Sequence, residues 1–138
     1  MAVADTGKTI LLIDGDEDFR EPMAMVLAAE GYRVCCAANG DQGIRMAAEQ
    51  PPDLIILDLM MPEKDGFETS QELSAVPRLR DVPILALTAF SQDIGEIYGA
   101  PKNGPPRSIR GYMEKPVEFN VFLERVAAAL AAEGSGPI

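Results

Sequence analysis

The sequence predicts an α/β domain in which a parallel sheet is covered by helices on both faces. Two observations carry this. Short β-branched runs, such as Thr9-Ile10-Leu11-Leu12-Ile13 and Leu54-Ile55-Ile56-Leu57, are apolar at consecutive positions, the pattern of strands buried on both faces. Those runs alternate with segments of helical periodicity, and strand-helix alternation implies right-handed crossovers and a parallel sheet. The length of 138 residues suits one domain with a substantial core, and 47% hydrophobic residues is too apolar for a disordered chain.

Lys8–Asp14 reads as the first strand. Asp18 is the expected N-cap of a helix running to about Glu30, with Phe19, Met23, Val26 and Leu27 on one face and Gly31 as its stop. Pro22 is tolerated there because it falls in the first turn. Tyr32–Ala38 is the second strand, and Asp41–Gln50 a weaker helix closed by Pro51-Pro52. Leu54–Asp58 is the third strand. A helix around Phe67–Ala75 ends before Pro77, and Pro83–Thr88 is the fourth strand. Gly111–Glu114 forms a short fifth. Glu118–Glu133 is the clearest helix, with Phe119, Phe122, Leu123, Val126 and Leu130 as its buried stripe and Gly134-Ser135-Gly136-Pro137 as its end.

The ends of these strands carry unusual chemistry. Asp58 closes an apolar run, where an unpaired buried charge is costly, and the turn residues Pro62 and Gly66 follow. Asp14 ends the first strand, Thr88 the fourth, and Lys115 follows the fifth. Ligands of open α/β sheets bind along the carboxyl edge of the strands. Clustered carboxylates repel one another and call for a divalent cation, and hard oxygen ligands suit Mg²⁺. A lysine and a threonine facing them would hold the oxygens of a phosphoryl group carried on one carboxylate.

This ordered set resembles the receiver domain of two-component response regulators, most closely the single-domain, chemotaxis-type kind, from about Lys8 to about Ala132. The resemblance implies a flavodoxin-like sheet of order 2-1-3-4-5 and a single receiver domain over residues 1–138, with a core of about 8–132 and short flexible termini. It makes Asp58 the phosphoacceptor, Thr88 the switch hydroxyl, Lys115 the phosphate-binding lysine and Tyr112 the aromatic switch residue. It implies Mg²⁺ held by Asp14, Asp58 and the backbone carbonyl of Met60. It also implies a sensor histidine kinase or histidine phosphotransfer protein as phosphoryl donor, and a downstream protein as receiver of the signal.

The chain departs from the family in three places. Gly15 stands where a second acid usually follows Asp14, so metal binding is weakened unless Asp16 or Glu17 takes over. The stretch from Thr88 to Lys115 is longer than usual and holds Gly95, Gly99, Pro101, Gly104, Pro105, Pro106 and Gly111. A turn capped by Ser91 is expected to reach Tyr98. Gly99–Arg110 is expected to be a loop in place of most of the usual helix, since each proline costs about 3 kcal/mol inside a helix. Met60 and Phe90 are apolar where many receivers place polar groups that help water attack the acyl phosphate.

Composition excludes several other functions. The net charge is −10, without a basic cluster, which argues against direct nucleic-acid binding. No apolar stretch reaches transmembrane length and the start lacks a signal sequence, so a cytoplasmic protein without membrane insertion is expected. The chain has no histidine, which excludes a Ser-His-Asp triad or a phosphohistidine within it. Cys35 and Cys36 are adjacent, and on a strand they point to opposite faces rather than bridging. An aspartyl-phosphate hydrolase would place a second Asp at position 60, which is Met60, and Asp14-Gly15-Asp16-Glu17-Asp18 would repel the phosphate of FMN. The resemblance therefore implies a phosphoacceptor switch rather than an enzyme, apart from the family's self-phosphorylation and slow self-dephosphorylation. A degenerate receiver, acting as a phosphorylation-independent interaction module, is the alternative that Gly15 raises.

Overall fold

The computed structural model describes residues 5–61, 64–89 and 109–131. The apolar runs form strands β1 (Thr9–Ile13), β2 (Arg33–Ala37), β3 (Leu54–Asp58), β4 (Ile84–Thr88) and β5 (Ile109–Glu114). Helices α1 (Glu17–Ala29), α2 (Gly40–Glu49) and α3 (Gly66–Ala75) separate the first four strands, and α4 (Phe119–Ala131) follows β5. The strands make one sheet in the order β2-β1-β3-β4-β5, and every pairing is parallel. This is the flavodoxin-like order expected. Phe90–Ser108 lies outside the described residues, and with it the turn expected from Ser91 to Tyr98 and all of the expected Gly99–Arg110 loop but Ile109 and Arg110. Pro62, Glu63 and the residues after Ala131 also lie outside.

Side chains of each strand alternate between two layers, as the pleat requires. Leu11, Ile13, Ile55 and Leu57 pack with Ala47 of α2 and Leu73 of α3. Ile10, Leu12 and Ile56 pack on the opposite face with Leu27 of α1 and Phe122 and Val126 of α4. β3 and β4 are buried along their whole length, so Asp58 and Thr88 are delivered to the edge by strands with little freedom to shift. Among the described residues, no helix is long and apolar enough to cross a membrane.

The helix starts refine the expected boundaries. Asp16, not Asp18, caps α1: its backbone is extended and its side chain accepts the Asp18 N–H. Pro22 consequently lies in the second turn rather than the first, where its missing N–H leaves the Asp18 carbonyl without the usual i→i−4 donor, at a residue that is exposed. Gly31 follows α1 at φ 93°, a left-handed conformation that favours glycine at a helix end. Asn39 caps α2 by accepting the Gln42 N–H at 2.8 Å, so this helix starts one residue before Asp41. Phe119, expected in the buried stripe of α4, is 49% exposed, because it is the first residue of the helix and the stripe begins one turn later at Phe122. β5 begins at Ile109, two residues before Gly111, and includes Arg110, which the loop expectation had claimed. A register shift between Ile84 and Leu85 of β4 explains the missed start: Ile84 pairs with Ile109 and Leu85 with Gly111, leaving Arg110 as the extra residue.

Gly66 shows how tightly the end of β3 is packed. Its N–H donates to the Leu59 carbonyl at 3.1 Å. A Cβ there would lie 2.6 Å from Leu59 Cα and 2.7 Å from the Asp58 carbonyl oxygen, both backbone atoms. Asp65 caps α3 directly before it, accepting the Glu68 N–H at 2.9 Å. We therefore predict that Gly66→Ala destabilises the fold by about 1–3 kcal/mol, the usual cost of overpacking, despite alanine's higher helix propensity. Urea denaturation checks this, and a variant as stable as the parent would show that α3 can move away from β3.

Candidate functional site

The neighbours of β1 give the site its place. β1 pairs with β2 on one side and β3 on the other, so the chain reverses direction across the sheet at β1 and β3. A crevice opens at the carboxyl ends of such a pair, where ligands of this architecture bind. Asp14 follows β1 and Asp58 ends β3, and both are buried.

Lys115 joins them. Its Nζ lies 2.8 Å from Asp14 Oδ2 and 3.5 Å from Asp58 Oδ2. The ammonium sits nearer the carboxylate of β1 than that of β3. Asp14 Oδ2 is buried and accepts no hydrogen bond, and the Lys115 ammonium is its ion-pair partner. Asp14 Oδ1 accepts the Asp16 N–H at 2.8 Å, and Asp58 Oδ1 accepts the Met60 N–H at 3.0 Å. The Asp58 carboxyl is pushed up to about 6, by burial first and by the Asp14 charge second, while Lys115 and the Met60 N–H oppose the rise.

Thr88 is buried at the end of β4, whose Leu87 is the register partner of Asp58. The Thr88 carbonyl accepts the Lys115 N–H at 2.8 Å, tying the lysine's backbone to the end of β4. The Lys115–Pro116 peptide bond is cis. Tyr112 is not part of the charged cluster. It is half-buried against the layer that holds α2 and α3, burial pushes its phenol up, and its carbonyl accepts from Arg125 at 3.2 Å. Met60 is 42% exposed at the rim.

The acids near Gly15 are committed elsewhere or turned outward. Asp16 is exposed and caps α1, and Glu17 is the exposed first residue of that helix. Among the described residues, no three acidic, cysteine or histidine side chains come together as a metal site. Among the described residues Asp14 and Asp58 therefore stand as a pair, with Gly15 adding no side-chain oxygen.

Several residues around the site escaped the sequence reading. Arg20 donates from Nη1 to the Asp14 carbonyl at 2.7 Å. The Phe19 ring, assigned by periodicity to the helix core, also lies under the Lys115 ammonium, 4.3 Å from centroid to Nζ. Lys64 pairs with Asp41 at 2.6 Å and with Glu72, tying the segment after β3 to α2 and α3. Phe19 meets Lys115, and Lys64 meets Asp41, across long sequence separations; the nearer Arg20–Asp14 contact ends on a backbone carbonyl, which no residue spacing announces.

Comparison with known proteins follows the same lines. The model of the response regulator receiver domain family matches residues 10–127. The transcriptional regulatory protein AfsQ1 of Streptomyces coelicolor is 36% identical over 122 residues, covering 88% of this chain and 51% of that protein. The DNA-binding dual master transcriptional regulator RpaA of Synechocystis is 37% identical over 121 residues, covering 88% of this chain and 48% of that protein. The chain thus spans about half the length of these relatives. Among solved structures, the receiver domain of a sensor histidine kinase from Pseudomonas aeruginosa superposes with a TM-score of 0.79 at 27% identity, covering 91% of this chain and 98% of that one. That structure holds a magnesium ion in its active-site cleft.

The raised value of Asp58 makes a stability prediction. A carboxyl whose folded value exceeds its unfolded one favours the fold most when protonated. That contribution is complete below about pH 4 and is lost as the pH rises through about 6. Asp58→Asn, which cannot ionise, should stabilise the chelator-treated protein at pH 8 by roughly 1–3 kcal/mol, and this gain should disappear below about pH 4. Thermal melts across that range measure it. An equal gain at both ends would assign the effect to packing instead of charge.

Proposed function

The chain belongs to the response regulator receiver domain family, and from that premise we propose that it is a phosphoacceptor switch whose acceptor is Asp58. Receiver domains of this family serve two-component systems, in which histidine kinases phosphorylate them. The observation that carries the assignment is the meeting of two buried carboxylates with the Lys115 ammonium at the sheet's carboxyl edge. A carboxylate buried beside a like charge is a stronger nucleophile than an exposed one, and at pH 7 a group titrating near 6 is still mostly ionised.

In the proposed reaction an Asp58 oxygen attacks the phosphorus of a partner's phosphohistidine. The O–P bond forms as the N–P bond breaks, and the imidazole nitrogen keeps the electron pair. Lys115 pairs with the phosphoryl oxygens, and the Thr88 hydroxyl turns towards them. Tyr112 then repacks on the neighbouring strand and alters the binding surface. The donor is a sensor histidine kinase or a histidine phosphotransfer protein, and the output is a downstream protein. We take the described unit to act as one cytoplasmic receiver domain.

A hard divalent cation fits the donors. Asp14 Oδ2 is a buried carboxylate oxygen without a hydrogen bond, beside a second carboxylate, which suits Mg²⁺. Asp14, Asp58 and the Met60 carbonyl would hold it, and when bound it offsets the charge of the incoming phosphoryl oxygens. The intact pairing of Asp58 with Lys115 favours this reading over a phosphorylation-independent module.

Incubation with acetyl phosphate and Mg²⁺ should add one phosphoryl group, seen by mass spectrometry, and Asp58→Asn should abolish it. Undiminished labelling of that variant would move the acceptor elsewhere. Gly15→Asp should tighten Mg²⁺ binding severalfold, because another carboxylate beside Asp14 and Asp58 adds attraction and an oxygen. Calorimetry measures this directly, and an unchanged affinity would mean that Asp16 or Glu17 already reaches the cation.

A further inference from the structure

We infer that Phe19 is a positioning residue for phosphoryl transfer, acting through the ammonium of Lys115. The inference rests on the proposed role of Lys115 as the phosphoryl-binding cation. The Nζ lies 4.3 Å from the centroid of the Phe19 ring, within the roughly 6 Å reach of cation–π attraction. The same nitrogen contacts Asp14 at 2.8 Å and Asp58 at 3.5 Å. The ammonium is thus held between two carboxylates and an aromatic face, and the proposed chemistry accounts only for the carboxylates.

The ring is seated by the same residues that seat the acid. Asp16 fixes the start of α1, which puts Phe19 in the helix's first turn. The next residue, Arg20, donates to the Asp14 carbonyl and ties that turn to the loop carrying the acid. Behind the ring lies the apolar layer under α1 and α4. Phe19, Asp14 and Lys115 are therefore positioned as one unit.

A lysine ammonium is a strongly hydrated point charge on a flexible stem. Phosphorylation requires it to exchange a carboxylate oxygen for a phosphoryl oxygen. An ion pair is lost in that exchange, whereas attraction to the face of a ring persists as the nitrogen moves across it. Phe19 keeps Lys115 in place before and after transfer, covers one side of it from water, and adds no charge to compete with the phosphoryl group. The absence of an acid at Gly15 leaves one fewer anion to fix the ammonium, which raises the share carried by the ring.

The test compares the full chain with its Phe19→Leu, Phe19→Tyr and Lys115→Ala variants and with the double variant Phe19→Leu/Lys115→Ala. Side-chain NMR should show the Lys115 Hε resonances shifted upfield by the ring, with the shift lost in Phe19→Leu and kept in Phe19→Tyr. Labelling by acetyl phosphate with Mg²⁺ should slow roughly three- to tenfold in Phe19→Leu and stay within about twofold in Phe19→Tyr. Adding Phe19→Leu to Lys115→Ala should cost nothing further. Unchanged labelling in Phe19→Leu overturns the inference, as does equal slowing by Leu and Tyr, or a Phe19→Leu loss that survives in the Lys115→Ala background. A parent protein that labels without a ring-shifted Lys115 sinks this inference alone. One that shows the shift but never labels sinks the proposed function, and the inference with it.

Discussion

Asp14 and Asp58 are buried close together, and one lysine supplies the ammonium that faces them both. Like charges in a poorly solvated site repel strongly, and a single cation cannot neutralise two anions. The surroundings respond by giving each acid a backbone donor, from Asp16 to Asp14 and from Met60 to Asp58. The residual imbalance falls on Asp58, whose carboxyl is pushed up to about 6 while Lys115 stays nearer Asp14. The result is an acid that holds its proton more readily than an ordinary aspartate and is more basic once ionised. These are the properties wanted in a nucleophile that works near neutral pH.

Such an imbalance is tolerable only on a rigid base. β1, β3 and β4 are packed on both faces, so the residues at their carboxyl ends cannot separate without breaking the core. The parallel arrangement puts all those ends on one edge, which is why acids that are distant in sequence meet there. Gly66 lets α3 press against the backbone of Asp58 and Leu59, and Lys64 braces the same segment against α2 and α3. The Lys64 partners are largely exposed, so these pairs add orientation more than stability.

Most of this architecture was legible in the sequence because it is written in short-range pattern. Consecutive apolar residues gave the inner strands, and Asp14, Asp58, Thr88 and Lys115 stood out because each follows or ends such a run. Errors arose where local pattern was ambiguous. Asp16 and Asp18 are both competent caps, and only the backbone conformation selects Asp16. The start of β5 was hidden because Arg110 and Gly111 interrupt its apolar pattern at the register shift. Phe19 fitted the buried stripe of its helix so well that nothing in the sequence hinted at its contact with Lys115. Arg20 was invisible for a related reason, since its partner is a backbone carbonyl.

The same physics links the charge of the site to the stability of the fold. Above about pH 6 the fold must keep Asp58 ionised beside Asp14, which is unfavourable relative to the unfolded chain. Any ligand that brings positive charge to the pair relieves this cost, and its binding to the native state alone raises stability by mass action. On the proposed function, Gly15 would moderate that coupling. A third carboxylate would strengthen cation binding but would add repulsion to a site with one ammonium already divided between two acids. On the proposed function, glycine at this position would exchange metal affinity for a metal-free state with less repulsion. In that state the neutral Phe19 ring offers Lys115 a partner whose attraction does not depend on how many anions are present.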